Sequence, residues 1–342
     1  MIILTFNSTP NAAVGQEIIS TRNLSKSYRR FEKEEGLTGS FKSLFHRRYV
    51  DKDAVIAFDL SIAPGEFVGL IGPNGAGKTT LTKMLTGIIA PSGGEVSVLG
   101  YYPNDLKNDF KRQIALVMGQ KSQLFFELTP ADTFSLYKEL YAIPETTYRQ
   151  NVAYFVELFG IAELLDVQVR TLSLGERMKM ELIVALLHEP GVLFLDEPTI
   201  GLDTAAQRQM RLFLKEVNIA KGTTILLTSH YMDDVLSLCQ RSVVMGGGRK
   251  LYDGPTDKLF EAYQTHKKIT VSFASETFCQ LPDECAVIEA GPFKTVFMVP
   301  KKHSSKVLAD LMRLYTPADI SAEEEDIGAV VERIYTSGGA GL

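Results

Sequence analysis

The stretch Gly72-Pro73-Asn74-Gly75-Ala76-Gly77-Lys78-Thr79-Thr80 holds the residue types that bind phosphate. Glycines at 72, 75 and 77 let the backbone close around an anion with successive N–H groups pointing inward. An apolar run, Phe67 to Ile71, precedes it and a helical pattern, Leu81 to Ile88, follows, so the positive end of a helix faces the same point. Lys78 would reach the β and γ phosphates of a nucleotide, and the Thr79 hydroxyl would ligate Mg2+. A Gly-rich turn that merely happens to end in Lys-Thr is the alternative, and such a match arises by accident in about one per cent of chains this long.

A second chemical pair stands at the end of Val192-Leu193-Phe194-Leu195-Asp196-Glu197. The four apolar residues read as a strand buried on both faces, which would deliver two carboxylates to its tip. Asp196 suits Mg2+ through its water shell, and Glu197 suits an attacking water, because phosphoryl transfer is mainly positioning and charge stabilisation. Taken alone, an Asp-Glu pair also fits an N-cap for the next helix.

These groups need a scaffold, and the rest of the chain reads as one. Ile18 to Tyr28 reads as a first strand and turn, Ala54 to Ile62 alternates as a second, and Glu95 to Gly100 adds a third to the same small sheet. Ile114 to Met118 is a short buried strand. From Ala131 to Leu172 the pattern is helical, with Phe155, Leu158 and Phe159 on one apolar stripe. Met178 to His188, Gln207 to Ala220 and Met232 to Cys239 read as helices, alternating with strands at Val192, Thr223 and Val243. Such alternation predicts an α/β fold with a mostly parallel sheet covered on both sides.

Beyond Tyr263 the period changes. Ile269, Val271 and Phe273 alternate, as do Val296, Met298 and Pro300, while Ser304 to Tyr315 and Ile327 to Tyr335 read as amphipathic helices. This predicts a small accessory α+β domain over 265–337, with Gly338 to Gly341 in a disordered tail over 338–342. At the other end, 1–18 reads as a flexible lead-in. Phe31 to Tyr49 reads as a solvated insertion, or as a basic amphipathic segment near a membrane surface.

Over 342 residues the content is 45% apolar and 23% charged, ordinary for a globular protein. A net charge of −5 argues against a nucleic-acid track, so no nucleic acid is expected as partner. Cys239, Cys279 and Cys285 have neither metal-ligand spacing nor an even count, which favours a reduced compartment. No apolar run approaches the roughly 20 residues of a membrane span.

Leu172-Ser173-Leu174-Gly175-Glu176, which precedes a helix starting near Arg177, resembles the signature of ABC-transporter ATPase subunits once joined with the phosphate loop and Asp196-Glu197-Pro198-Thr199. The resemblance covers about residues 20 to 260. It implies the P-loop ABC cassette fold: a parallel core sheet with antiparallel β and helical subdomains, here over 19–262 with an insertion at 29–52 and a helical part over about 104–185. It also implies that two cassettes meet head to tail, each ATP lying between one phosphate loop and the other subunit's signature. Leu174 and Glu176 depart from the commonest wording, which has Gly and Gln there; Ser173 and Gly175 remain to meet the γ-phosphate.

By the same resemblance, Gln120 senses Mg2+ and the permease, Asp203 of Ile200-Gly201-Leu202-Asp203 carries information across the dimer, His230 contacts the γ-phosphate, and adenine stacks on Tyr28. The catalytic set implied is Glu197, His230 and Lys78, and the metal set is Thr79, Gln120 and Asp196. The wording is similar to bacterial exporters of drugs, lipids or glycans whose permease is a separate chain. An ATPase at the cytoplasmic face of the membrane is therefore expected, bound to an integral membrane permease and to a second copy of itself or a paralogous subunit. Two other readings stay open: a non-transport ABC ATPase acting on nucleic acid or ribosomes, and a nucleotide-gated scaffold with negligible turnover.

Overall fold

A computed structural model describes residues 17–31, 49–229, 231–263 and 265–325. The chain divides into two compact units, Met1–Asp253 and Gly254–Leu342. The sequence places this break later, at 262–265. Residues 1–16 of the expected lead-in, residues 32–48 of the expected insertion, His230, the expected helix Ile327 to Tyr335 and the tail lie outside the described residues.

The first unit opens with two long strands, β1 (Ile19–Phe31) and β2 (Tyr49–Ile62), and then gives β3 (Phe67–Ile71), helix α1 (Lys78–Leu85) and β4 (Gly93–Val98). The short helix α2 (Asn108–Lys111) leads into β5 (Ile114–Met118). The β1–β2 ladder runs on to Phe31 opposite Tyr49, so residues 29–31 and 49–52 of the expected insertion are paired strand. Three strands form an antiparallel sheet in the order β2-β1-β4.

The expected helical stretch is broken into α3 (Pro130–Tyr141) and α4 (Glu145–Phe159). Pro144 prevents one helix from running through, and Gly160 at φ 62° ends the second. Phe155 and Phe159 are buried as the apolar stripe requires, but Leu158 is 39% exposed and lies off that stripe. Next come α5 (Leu174–Leu186), β6 (Val192–Asp196), α6 (Thr204–Lys221), β7 (Thr224–Thr228), α7 (Met232–Leu238), β8 (Arg241–Gly246) and β9 (Arg249–Pro255). Helix α5 begins four residues before Met178, the position expected from periodicity, because Ser173 and Glu176 form a capping box at its start.

Strands β5-β6-β7-β3-β8-β9 make a six-stranded sheet. Pairing between β5 and β6, β6 and β7, β7 and β3, and β3 and β8 is parallel. Every residue of β3, β6 and β7 is buried, which explains their unbroken apolar runs. Register then decides where the chemistry lies. Asp196 pairs with Met118 on one side and Thr228 on the other, and Leu70 pairs with Thr228. Four strand ends thus finish level, at the carboxyl edge where open parallel sheets bind ligands.

In the second unit, β10 (His266–Ser272), β11 (Ala286–Ala290), β12 (Lys294–Pro300) and β13 (Asp319–Glu324) form an antiparallel sheet in the order β11-β12-β10-β13. Helix α8 (Thr256–Tyr263) precedes it, and α9 (Lys301–Leu314) follows β12. Ile269, Val271, Phe297 and Val299 from the sheet and Val307 and Leu311 from α9 make its core.

Candidate functional site

The phosphate loop joins the end of β3 to the start of α1. Gly72 and Gly77 are required by close approach: a Cβ on Gly72 would lie 2.2 Å from the Met245 carbonyl oxygen, and one on Gly77 would lie 2.2 Å from that of Ala54. Gly77 also sits at φ 108°, outside the range of ordinary side-chain-bearing residues. Pro73 and Ala76 close the turn through an Ala76 N–H to Pro73 carbonyl bond of 3.1 Å, while Asn74 and Gly75 stay exposed at its tip. Thr80 lies on α1. Lys78 is buried along its length and donates through Nζ to the carbonyls of Gly72 at 2.6 Å and Pro73 at 3.1 Å, which holds its ammonium in the loop's concavity. Burial lowers its pKa, and the carboxylates of Glu197 and Asp196 oppose that shift.

Thr79 and Asp196 face each other across the strand ends. The Thr79 hydroxyl donates to the two Asp196 oxygens at 3.0 and 3.3 Å, and Thr228 Oγ1 donates to Asp196 Oδ1 at 2.5 Å. Asp196 is therefore oriented from both neighbouring elements and does not serve as an N-cap. Glu197 follows at φ 55°, a left-handed conformation that costs a non-glycine residue of the order of 1–2 kcal/mol. Its N–H is held by the Thr228 carbonyl at 2.9 Å and the Thr228 hydroxyl at 3.2 Å. Strain of this kind persists where the surroundings over-determine it, a pattern that marks functional positions.

The turn that carries Gln120 meets the same edge. Gly119 N–H donates to the Asp196 carbonyl at 2.9 Å, and a Cβ at Gly119 would lie 2.1 Å from the Glu197 carbonyl oxygen. Gln120 itself is exposed. Thus the structure brings together Lys78, Thr79, Asp196, Glu197 and the Gln120 turn. Tyr28 is 41% exposed on β1, opposite Lys52 and two positions along the ladder from Ala54, the residue against Gly77.

A second group forms around the start of α5. Leu172 is buried and Ser173 is the N-cap, with its N–H and its hydroxyl both donating to Glu176 Oε2 at 2.8 Å. Those bonds lower the Glu176 pKa, so the carboxylate is charged near neutral pH. Leu174 Cδ2 would come within 3.1 Å of a Cβ on Gly201, and a Cβ on Gly175 would lie 3.2 Å from that of Ala206. The signature therefore packs against the loop that ends in Asp203. Here Asp203 caps α6, accepting the Ala206 N–H at 2.8 Å.

His230 lies outside the described residues, but its flanks are tied. Asp234, fully buried on α7, accepts from Thr199 Oγ1 at 2.5 Å, Ser229 Oγ at 3.1 Å and Arg211 at 2.9 Å. Ser229 Oγ in turn accepts the Tyr231 N–H at 3.0 Å. Sequence reasoning missed Thr228, Gly119 and Asp234. Thr228, a hydroxyl closing an apolar strand, carried a signal; the others depend on partners far away in the chain.

Among the described residues no three His, Cys, Asp or Glu side chains cluster as a metal cage. Magnesium does not require one, because it takes one or two carboxylates together with water and substrate phosphates, and Asp196 with the Thr79 hydroxyl fits that donor set.

Residues 56–200 match the ABC transporter family. The Nod factor export ATP-binding protein I of Neorhizobium galegae is 37% identical over 213 residues, which are 62% of this chain and 61% of that protein. The ABC transporter ATP-binding protein NatA of Bacillus subtilis (strain 168) is 30% identical over 220 residues, 63% of this chain and 89% of that relative. The chain belongs to the ABC transporter family. A solved ATP-binding subunit of an ABC transporter, 27% identical, superposes with a TM-score of 0.59 over 71% of this chain and 92% of its own. As an ABC ATPase, the protein binds ATP at a fold whose core sheet, antiparallel sheet and helices are those described above. No helix among the described residues is long and apolar enough to cross a membrane.

Proposed function

We propose that this ABC ATPase powers transport across a membrane through a separate integral permease, as an exporter of drug, lipid or glycan-like cargo. The observation that carries the catalytic part is the Thr79 hydroxyl 3.0 Å from Asp196, with Lys78 in the loop beside it and Glu197 next in the chain. Mg2+ held by Thr79 and Asp196, with Gln120 at the edge, would neutralise charge on the β and γ phosphates. Lys78 binds those phosphates, and Glu197, held in place by Thr228, orients the attacking water. Export is supported by the likeness to the Nod factor export ATP-binding protein I. The exposed surface of Ser173, Leu174, Gly201 and Asp203 supports a second cassette as partner, with Ser173 and the N–H groups of α5 meeting its ATP.

Purifying the tagged chain from detergent-solubilised membranes tests the reading. A polytopic membrane protein retained in stoichiometric amount is the expected result. Ribosomes, nucleic-acid enzymes or no partner would instead favour an ABC ATPase that transports nothing.

A further inference from the structure

Glu181 is an anomaly in its own helix. It lies between Met180 and Leu182 on α5, in a stretch where every residue from Met180 to Leu186 is buried, and is itself only 5% exposed. Among the described residues no cation pairs with it. Instead three donors from one short loop converge on its carboxylate: Ser122 Oγ at 2.5 Å, Gln123 N–H at 2.9 and 3.1 Å, and Leu124 N–H at 3.4 Å. An ionised carboxylate is the side chain that accepts from such a set without needing to donate. Burial raises its pKa above the ordinary carboxylate value, and the three donors oppose that rise. The loop is fixed from two more sides. Gln123 Nε2 donates to the Leu116 carbonyl of β5 at 2.9 Å, and Tyr137 of α3 donates its hydroxyl to the Gln123 carbonyl at 3.2 Å.

We propose that Glu181 is a positioning residue for Gln120, binding the loop that follows Gln120 to helix α5 so that the turn and the signature end of the helix move as one body. The inference rests on the reading of this chain as an ATPase in which Gln120 and Ser173 face nucleotide. Glu181 stands eight residues beyond Ser173, about 12 Å along the helix at 1.5 Å per residue. A rigid rod of this length passes any displacement of its N-terminus to residues 122–124. Those residues are directly joined to the Gln120 turn, itself closed by the Lys121 N–H to Met118 carbonyl bond of 3.0 Å.

The test is steady-state ATP hydrolysis by the full chain, comparing wild type, Glu181→Gln, Ser122→Ala, Gln120→Ala and the pair Glu181→Gln/Gln120→Ala, with Lys78→Ala as the control. Glutamine keeps the shape but turns an N–H2 group towards the Gln123 N–H. The expected result is a fall in kcat of about tenfold for Glu181→Gln with KM for ATP within about twofold of wild type, since the phosphate loop is untouched. Ser122→Ala, a milder change at an exposed residue, should move kcat in the same direction. In the Gln120→Ala background, Glu181→Gln should lower kcat no further, because both changes act through one group. Unchanged kcat in Glu181→Gln and Ser122→Ala, or losses that multiply in the pair, would overturn the proposal while leaving the ATPase reading intact. Full turnover in Lys78→Ala would instead overturn that reading and this inference with it.

Discussion

At the residue scale, the side chain that sets this cassette apart is Glu176. Its carboxylate holds both the N–H and the hydroxyl of Ser173, the group proposed to meet a phosphate from the second subunit. Because those bonds hold its pKa below the ordinary carboxylate value, Glu176 is ionised at neutral pH, and a phosphate approaching α5 meets a like charge. Glu176→Gln keeps an acceptor for Ser173 and removes the charge. ATP-dependent dimer formation, followed by light scattering, should therefore need severalfold less ATP in the variant. An unchanged or higher requirement would show that the carboxylate swings clear at no cost. The glycines, Lys78, Thr79 and the Asp196-Glu197 pair were legible in the sequence because their chemistry is local to a few consecutive residues. Ser173 as an N-cap was missed, although Ser and Glu three apart carry that signal, because apolar periodicity pointed to a later start where Leu174 is exposed.

At the element scale, what assembles the site is strand register. Met118, Asp196 and Thr228 are level across three parallel strands, and Gly119 fits under the Glu197 carbonyl only because it lacks a Cβ. Gly119→Ala should lower stability by about 1–3 kcal/mol in urea unfolding, as overpacking does, and reduce ATP turnover by displacing Glu197. A stable variant with normal turnover would mean that the two strand ends can part without consequence. None of this register can be read from one chain, because residues 118, 196 and 228 meet only after two long crossovers. Glu181 was hidden for the same reason, its partners lying 57 to 59 positions away.

The joint between α3 and the end of α5 carries a pH dependence. His188 stacks on Tyr141 with ring centroids 4.0 Å apart and donates Nε2–H to the Ile114 carbonyl. Burial lowers its pKa from 6.5 to about 4, so the folded state keeps it neutral where the unfolded chain would protonate it. Stability from this group is full above pH 6.5 and is lost as pH falls from there towards 4, by up to about 3 kcal/mol. Melting temperatures measured from pH 7.5 to 5 should fall more steeply in wild type than in His188→Phe, which keeps the stack but cannot titrate. Parallel curves would place the histidine's proton elsewhere.

At the scale of the molecule, the sequence foretold an alternating α/β region and an α+β tail, and the six-stranded sheet of the one and the four-stranded sheet of the other are present. The alternation of Ile269 and Val271 revealed β10, whose apolar face is buried. Strand β13, Asp-Ile-Ser-Ala-Glu-Glu, was invisible, because it lies at the edge of its sheet and edge strands carry polar and charged residues without a clean period. The position of the break between the units was also obscured, because it falls within β9, between Asp253 and Gly254, and not in a linker that composition would mark.

The central claim is that Glu197 drives hydrolysis in a closed pair of cassettes, and Glu197→Gln tests it most directly. Wild type and variant should be given Mg·ATP, with phosphate release and molar mass followed in the same sample. The variant is expected to bind ATP, release little phosphate and accumulate as a stable dimer, while wild type turns over and returns to monomer. Near-normal phosphate release by Glu197→Gln, with no lasting dimer, would contradict the account.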